Sequence, residues 1–182
     1  MARHAATARA LCGRGCALTE IVPLDTVEPD AVEDLLDRAF GADRRARTAY
    51  RVRGESRALA ALSFAAIDGG ALVGSVQCWQ VRFSADGGGA TPLVMLGPVA
   101  VAPERQRDGL GRRLTAAALA AAEAESLACA MALIGDPEYY GRFFGFTAER
   151  TGGWRLPGPV ERRRLLARGP GVPDGAGELG PA

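Results

Sequence analysis

The chain has 182 residues, of which 48% are hydrophobic and 24% charged, enough to bury one substantial core and too apolar for a disordered chain. No apolar run approaches the ~18 residues needed to cross a bilayer, so no membrane partner is expected. With 22 basic and 21 acidic residues the net charge is +1, which argues against nucleic-acid binding. Every basic residue is Arg, and there is no Lys and no Asn, a skew that looks like GC-rich codon usage and says little about function.

Residues 1–17 carry Arg3, Arg9 and Arg14, no acid, and none of the roughly 7–15 consecutive apolar residues of a secretory signal. They read as a disordered or mis-annotated extension, and the expected location is cytoplasmic. Leu18–Leu24 looks like a first strand. Glu28-Pro29-Asp30 opens a helix, because proline and acids suit a helix N-terminus, and Val32, Leu35, Leu36, Ala39 and Phe40 form its apolar stripe. Arg44–Arg53 is expected as a second, more polar helix within a basic stretch (Arg44–Arg57) read as a solvated face. Leu62–Ile67 and Ala71–Phe83 read as a hairpin about Asp68-Gly69-Gly70. Asp86-Gly87-Gly88-Gly89 marks another turn, followed by the strand Pro92–Val101 and a helix over 108–126. The strand Cys129–Ile134, a short helix around Glu138–Phe143 and a last strand region from Phe146 complete the pattern. Residues 169–182, rich in Gly and Pro, read as a flexible tail. An antiparallel meander leading into one βαβ unit predicts one α/β domain over residues 18–168, with a mixed sheet and helices on both faces.

Cys78 and Cys129 lie in apolar strand-like runs, as buried free thiols do. Cys12 and Cys16 flank Gly-Arg-Gly, and His4 is the only histidine, so no metal site is expected.

The informative segment runs from Leu96 to Leu114. A strand ends at Val99-Ala100-Val101, a basic turn holds Gly109 and Gly111, and a helix starts at once. Such a turn presents several backbone N–H groups at the positive end of a helix dipole, an arrangement suited to phosphate or pyrophosphate. Arg105, Arg107, Arg112 and Arg113 add positive charge around it. A P-loop would need a lysine, and a dinucleotide fingerprint would need Gly where Leu114 stands.

Gln106-x-x-Gly109-x-Gly111, after Val99-Ala100-Val101 and Pro103, resembles the acyl-CoA signature of the GNAT superfamily of N-acetyltransferases. A second segment, Gly135-Asp136-Pro137-Glu138-Tyr139-Tyr140-Gly141-Arg142-Phe143-Phe144-Gly145-Phe146, is similar to one found in its YhbS-like bacterial branch. Leu35-Leu36-Asp37-Arg38-Ala39-Phe40-Gly41 and Arg47-Thr48-Ala49-Tyr50-Arg51 look like the same branch, so the resemblance spans roughly Leu18 to Arg168.

The resemblance implies a mostly antiparallel sheet with a splayed parallel strand pair, and acetyl-CoA as co-substrate. Its pantetheine arm would lie along Val99 and Val101, and its pyrophosphate on the loop of Gln106, Arg107, Asp108, Gly109, Leu110, Gly111 and Arg112. The Val99 amide becomes the oxyanion donor, and Tyr140, with Tyr139 as alternative, the acid that protonates the leaving thiolate. Asp108 departs from the family, which often carries Lys, Arg or Gly there. So does the Phe143-Phe144 pair, where one Phe is usual. Gly97-Pro98 independently marks a bulge or interruption, because proline removes a ladder donor from a core strand. The implied reaction is direct acetyl transfer to a primary amine of a small-molecule or peptide acceptor, by a monomer or homodimer. The rivals are a catalytically silent acyl-CoA sensor or partner domain, and an unrelated phosphate-binding module.

Overall fold

Proline at the first turn starts the first helix, α1 (Pro29–Phe40), and buries Val32, Leu35 and Leu36, the stripe expected from the sequence. The computed structural model describes residues 19–182. The expectations placed on residues 1–17, with His4, Cys12 and Cys16, lie outside the described residues.

The strands are β1 (Glu20–Pro23), β2 (Phe64–Asp68), β3 (Ala71–Ala85), β4 (Ala90–Val101), β5 (Met131–Ile134), β6 (Trp154–Arg155), β7 (Leu165–Arg168) and β8 (Gly177–Pro181). The remaining helices are α2 (Thr48–Arg53), α3 (Leu110–Ala124) and α4 (Pro137–Phe144). One sheet runs β1-β2-β3-β4-β5-β7, with β8 pairing β3 and β6. Its neighbours are antiparallel except for β4–β5 and the two-residue β6–β8 contact. The β2–β3 hairpin turns through Gly69 and Gly70, both at positive φ, the conformation that a two-residue hairpin turn demands.

The sheet is buried on both faces. Ala65 and Ala66 are adjacent and both fully buried, the first in the cluster around α1, the second in the cluster under α3. Leu110, Leu114, Ala118, Leu119 and Ala122 form the inward stripe of α3. Gly74 lets that helix come close, since a Cβ there would stand 2.9 Å from Leu114 Cδ1.

Three sequence expectations change. The polar helix expected over Arg44–Arg53 divides into a short 3₁₀ segment, Ala42–Ala46, and α2. Cys129 is exposed rather than buried, whereas Cys78 is buried. Residues 169–182 are not a loose tail: β8 fills the sheet edge left where β3 outruns β2, pairing Val81–Ala85 of β3 with Gly177–Pro181. Leu179 is only 1% exposed there, and Val172 is also buried. A Cβ at Gly177 would stand 2.4 Å from Phe83 Cζ. Glycine there is therefore a packing requirement rather than a sign of looseness.

Candidate active site

Two adjacent strands that pair and then part create the site. β4 and β5 are in register only at Val94–Met131 and Met95–Ala132. Past Leu96 the chain bulges at Gly97-Pro98: Cys78 of β3 stands opposite Leu96, yet Val76 stands opposite Val99. This is the interruption expected from the proline.

Beyond the bulge, Ala102 N donates to Val73 O at 2.9 Å. Bonded and non-bonded pairs alternate along an antiparallel ladder. The Gly74–Val101 and Val76–Val99 pairs are therefore the non-bonded ones. The backbone groups of Val99 and Val101 point away from β3, into the wedge that β5 has left open. Unpaired backbone polar groups in a wedge are ready to pair with an extended ligand.

At the mouth of the wedge, Gly109 caps α3 in the left-handed region at φ +74°. The amides of Gln106, Arg107, Gly109, Leu110 and Gly111 have no backbone acceptor among the described residues. They sit at the positive end of a 15-residue helix, a cradle suited to an anion. A Cβ on Gly111 would lie 3.8–3.9 Å from Tyr139 Oη, Val101 Cγ2 and Val99 Cγ1, so Gly111 looks across the open wedge. The resulting cleft holds about 560 Å³ and is lined by Val99, Val101, Gln106, Arg107, Gly109, Gly111, Arg112, Tyr139 and Tyr140, together with Ala39, Phe40 and Phe143.

Two of the expected loop residues turn away. Leu110 is buried under the sheet and leaves only its backbone to the cradle. Asp108 pairs with Arg105, which also reaches Asp68, so the carboxylate is drawn off the cleft. Arg113 donates to Thr19 O at 2.6 Å. Of the four arginines expected around the turn, Arg107 and Arg112 line the cleft.

A second cleft of about 670 Å³ shares Phe40, Val99 and Tyr140 with the first and continues past Gly97-Pro98 to α2, Met95, Ile134 and Arg164. Asp136 accepts from Glu138 N at 3.0 Å and so caps α4, which carries both tyrosines. Tyr140 packs edge-on against Tyr139, with ring centres 5.0 Å apart, and stands at the junction of the two clefts. Tyr139 lines the first cleft, facing Gly111. Burial, reinforced by Tyr139, pushes the Tyr140 phenol up to about 12, while Arg112 offsets part of a smaller burial-driven rise at Tyr139. Cys78 is also pushed up to about 12 by burial, which leaves it no thiolate character at neutral pH. Among the described residues, no group of three His, Cys, Asp or Glu side chains could hold a metal ion.

Several residues of the site escape sequence reasoning. Gly135 lets the Tyr140 ring sit where it does, since a Cβ would stand 2.4 Å from its Cε2. Arg44 and Arg53, read as part of a solvated face, are buried in the second cleft. Arg44 donates to Tyr50 Oη at 2.5 Å, and a lone tyrosine among these arginines is the signal the sequence offers.

The family model for the acetyltransferase (GNAT) domain matches residues 20–148. The structure is similar to the GNAT family N-acetyltransferase YhbS of Escherichia coli, solved in complex with CoA, at 24% identity over 88% of this chain and 89% of that one, with a TM-score of 0.65. It is also similar to a GNAT family acetyltransferase of Brucella melitensis, solved with acetyl-CoA, at 25% identity over 88% and 95% of the two chains, with a TM-score of 0.58. The ribosomal-protein-S18-alanine N-acetyltransferase of Escherichia coli shares the fold at 21% identity, over 82% and 90% of the chains, with a TM-score of 0.51. No curated protein matches the sequence. Its mixed sheet, opened beside a glycine-bearing helix start, and a family match over most of its length place this chain in the GNAT acetyltransferase family.

Proposed function

We propose that the protein is an N-acetyltransferase that moves the acetyl group of acetyl-CoA directly to a primary amine. The observation that carries this reading is the meeting of two clefts at Val99 and Tyr140, one ending in an anion cradle and the other open to an acceptor. Complexes of the Escherichia coli and Brucella relatives with CoA and acetyl-CoA support it.

The residues suit such a ligand. Amides around Gly109 and Gly111, with Arg107 and Arg112, would hold the pyrophosphate, and the free backbone of Val99 and Val101 would pair with pantetheine. At the junction, Val99 N–H would donate to the thioester oxygen as negative charge develops there. The amine nitrogen forms a bond to the acetyl carbon, the carbon–sulfur bond breaks, and the amine sheds a proton to solvent. Tyr140 supplies a proton to the departing thiolate and regains one from solvent; its raised pKa keeps the resting phenol protonated at neutral pH, so it does not serve as the base. A cysteine acyl-enzyme has no support here, because Cys78 is a buried, protonated thiol.

A thermal-shift series with acetyl-CoA, CoA and ATP, followed by an amine panel read through free CoA thiol, tests the reading. Stabilisation that grows with acetyl-CoA concentration is expected, as linkage requires. No shift at millimolar acetyl-CoA would overturn it. Binding without turnover of any amine would instead support a silent acyl-CoA sensor.

A further inference from the structure

The second cleft contains two buried guanidinium groups in opposite situations. Arg44, 1% exposed, bonds Glu33 at 2.5 Å and Asp37 at 2.7 Å. Arg53, 4% exposed, has no carboxylate or carbonyl partner among the described residues. A buried cation without an anion is costly. Here the cost is lowered by two aromatic rings, since Arg53 Cζ lies 3.8 Å from the centre of Tyr50 and 4.4 Å from that of Trp79.

Arg53 lines the cleft, and Tyr50 is its one polar partner among the described residues, so N–H groups of the guanidinium remain for an acceptor. Two parallel N–H groups in one plane match a carboxylate. The surroundings favour an anion too. Asp136 and Glu161, the acids lining this cleft, are engaged with the α4 cap and with Arg163. Arg164 at its rim makes no ion pair among the described residues.

We propose that Arg53 receives a carboxylate on the acceptor, which makes the acceptor a free amino acid or short peptide carrying both an amine and a carboxylate. The inference rests on the acetyltransferase reading for the amine end. The cleft's volume of about 670 Å³ suits a ligand of this size.

The test compares L-leucine, L-phenylalanine and glycyl-L-leucine with their carboxamides, read by release of CoA thiol. A carboxylate preference of at least ~10-fold in kcat/KM is expected. It runs against intrinsic reactivity, because the neighbouring carboxylate makes the amine more basic and less available as a nucleophile. In Arg53→Met the preference collapses toward one, and Arg53→Lys keeps part of it. Met retains the packing stem, so the melting temperature should hold or rise once a buried cation is gone. A purely structural Arg53 would instead lower turnover of both members of each pair equally, which overturns the proposal.

Binding is read separately by Trp79 fluorescence, titrating CoA-saturated protein with N-acetyl-L-leucine or its carboxamide. Arg53-dependent carboxylate binding without turnover of any amine would leave the anion site standing and sink the acetyltransferase reading. Carboxamides turned over as well as carboxylates would do the reverse. If no carboxylate is either bound or preferred, the anion site is overturned.

Discussion

Arg105 and Asp108 form an ion pair across one turn of the glycine loop, and the pair draws the only acid of that loop away from the cleft. Arg105 is held on its other side by Asp68 at the β2–β3 turn, so the hairpin anchors the loop. An acid that would repel a pyrophosphate thus becomes part of the scaffold.

Position rather than charge should therefore decide how acids in this loop act. Asp108→Asn is expected to change acetyl-CoA affinity less than ~3-fold, because Arg105 keeps Asp68. Gly111→Asp puts a carboxylate into the open wedge without left-handed strain, and should weaken binding by more than ~10-fold, about 1.4 kcal/mol. Gly109→Asp should do at least as much, with backbone strain at φ +74° added. Calorimetric titration of the three variants checks the ranking. Equal losses for Asp108→Asn and Gly111→Asp would remove the pyrophosphate from this loop.

On the proposed mechanism, Tyr140→Phe removes a hydroxyl that acts mainly in the transition state. Loss of a general acid typically costs 10²–10⁴-fold, so kcat should fall by at least ~100-fold with the acetyl-CoA KM within a few-fold. The ring remains against Gly135 and Phe146, so the melting temperature should move little. Tyr139→Phe is the control, since Tyr139 lines the first cleft alone. Damage from Tyr139→Phe instead would move the role one residue. Near-wild-type kcat in both single variants and the double variant would leave water as the proton donor.

The raised phenol pKa sets the pH response. Because burial holds Tyr140 near 12, its ionisation should produce no alkaline limb in kcat below about pH 10. The sign for stability follows the same shift: a folded pKa above the unfolded value of about 10 contributes stability present below pH 10 and lost as pH rises toward 12. Melting temperatures across this window should fall less steeply in Tyr140→Phe than in the wild type. An unchanged slope would mean that the phenol is not buried as described.

Leu179→Ala should destabilise the protein by about 2–5 kcal/mol, the usual range for a buried leucine. Gly177→Ala should also destabilise it, because the added methyl meets Phe83 and the Ser84 carbonyl. Denaturant unfolding measures both. Effects near zero would mean that the last strand is dispensable.

Local chemistry is written in short stretches of sequence, and those stretches were legible. Pro29 with its apolar stripe specified α1, Gly69-Gly70 specified a hairpin, and Gly109-x-Gly111 after a strand specified a glycine-capped helix start. Each depends on residues a few positions apart, where backbone sterics and periodicity act directly. Even the bulge at Gly97-Pro98 could be anticipated, since proline cannot complete a ladder.

What only the tertiary structure decided involves partners distant in sequence. Residues 169–182 are rich in glycine and proline, yet Gly177–Pro181 form β8 because the far half of β3 has an open edge and Phe83 leaves room only for glycine at 177. Asp108 is harmless because Arg105 and Asp68 come together in space. Arg44 and Arg53 read as surface charges because burial of a guanidinium depends on what surrounds it. Glu33, Asp37, Tyr50 and Trp79 reach them from three different elements. Electrostatic and packing compensation is a property of neighbours in three dimensions, and the linear sequence carries no direct record of it.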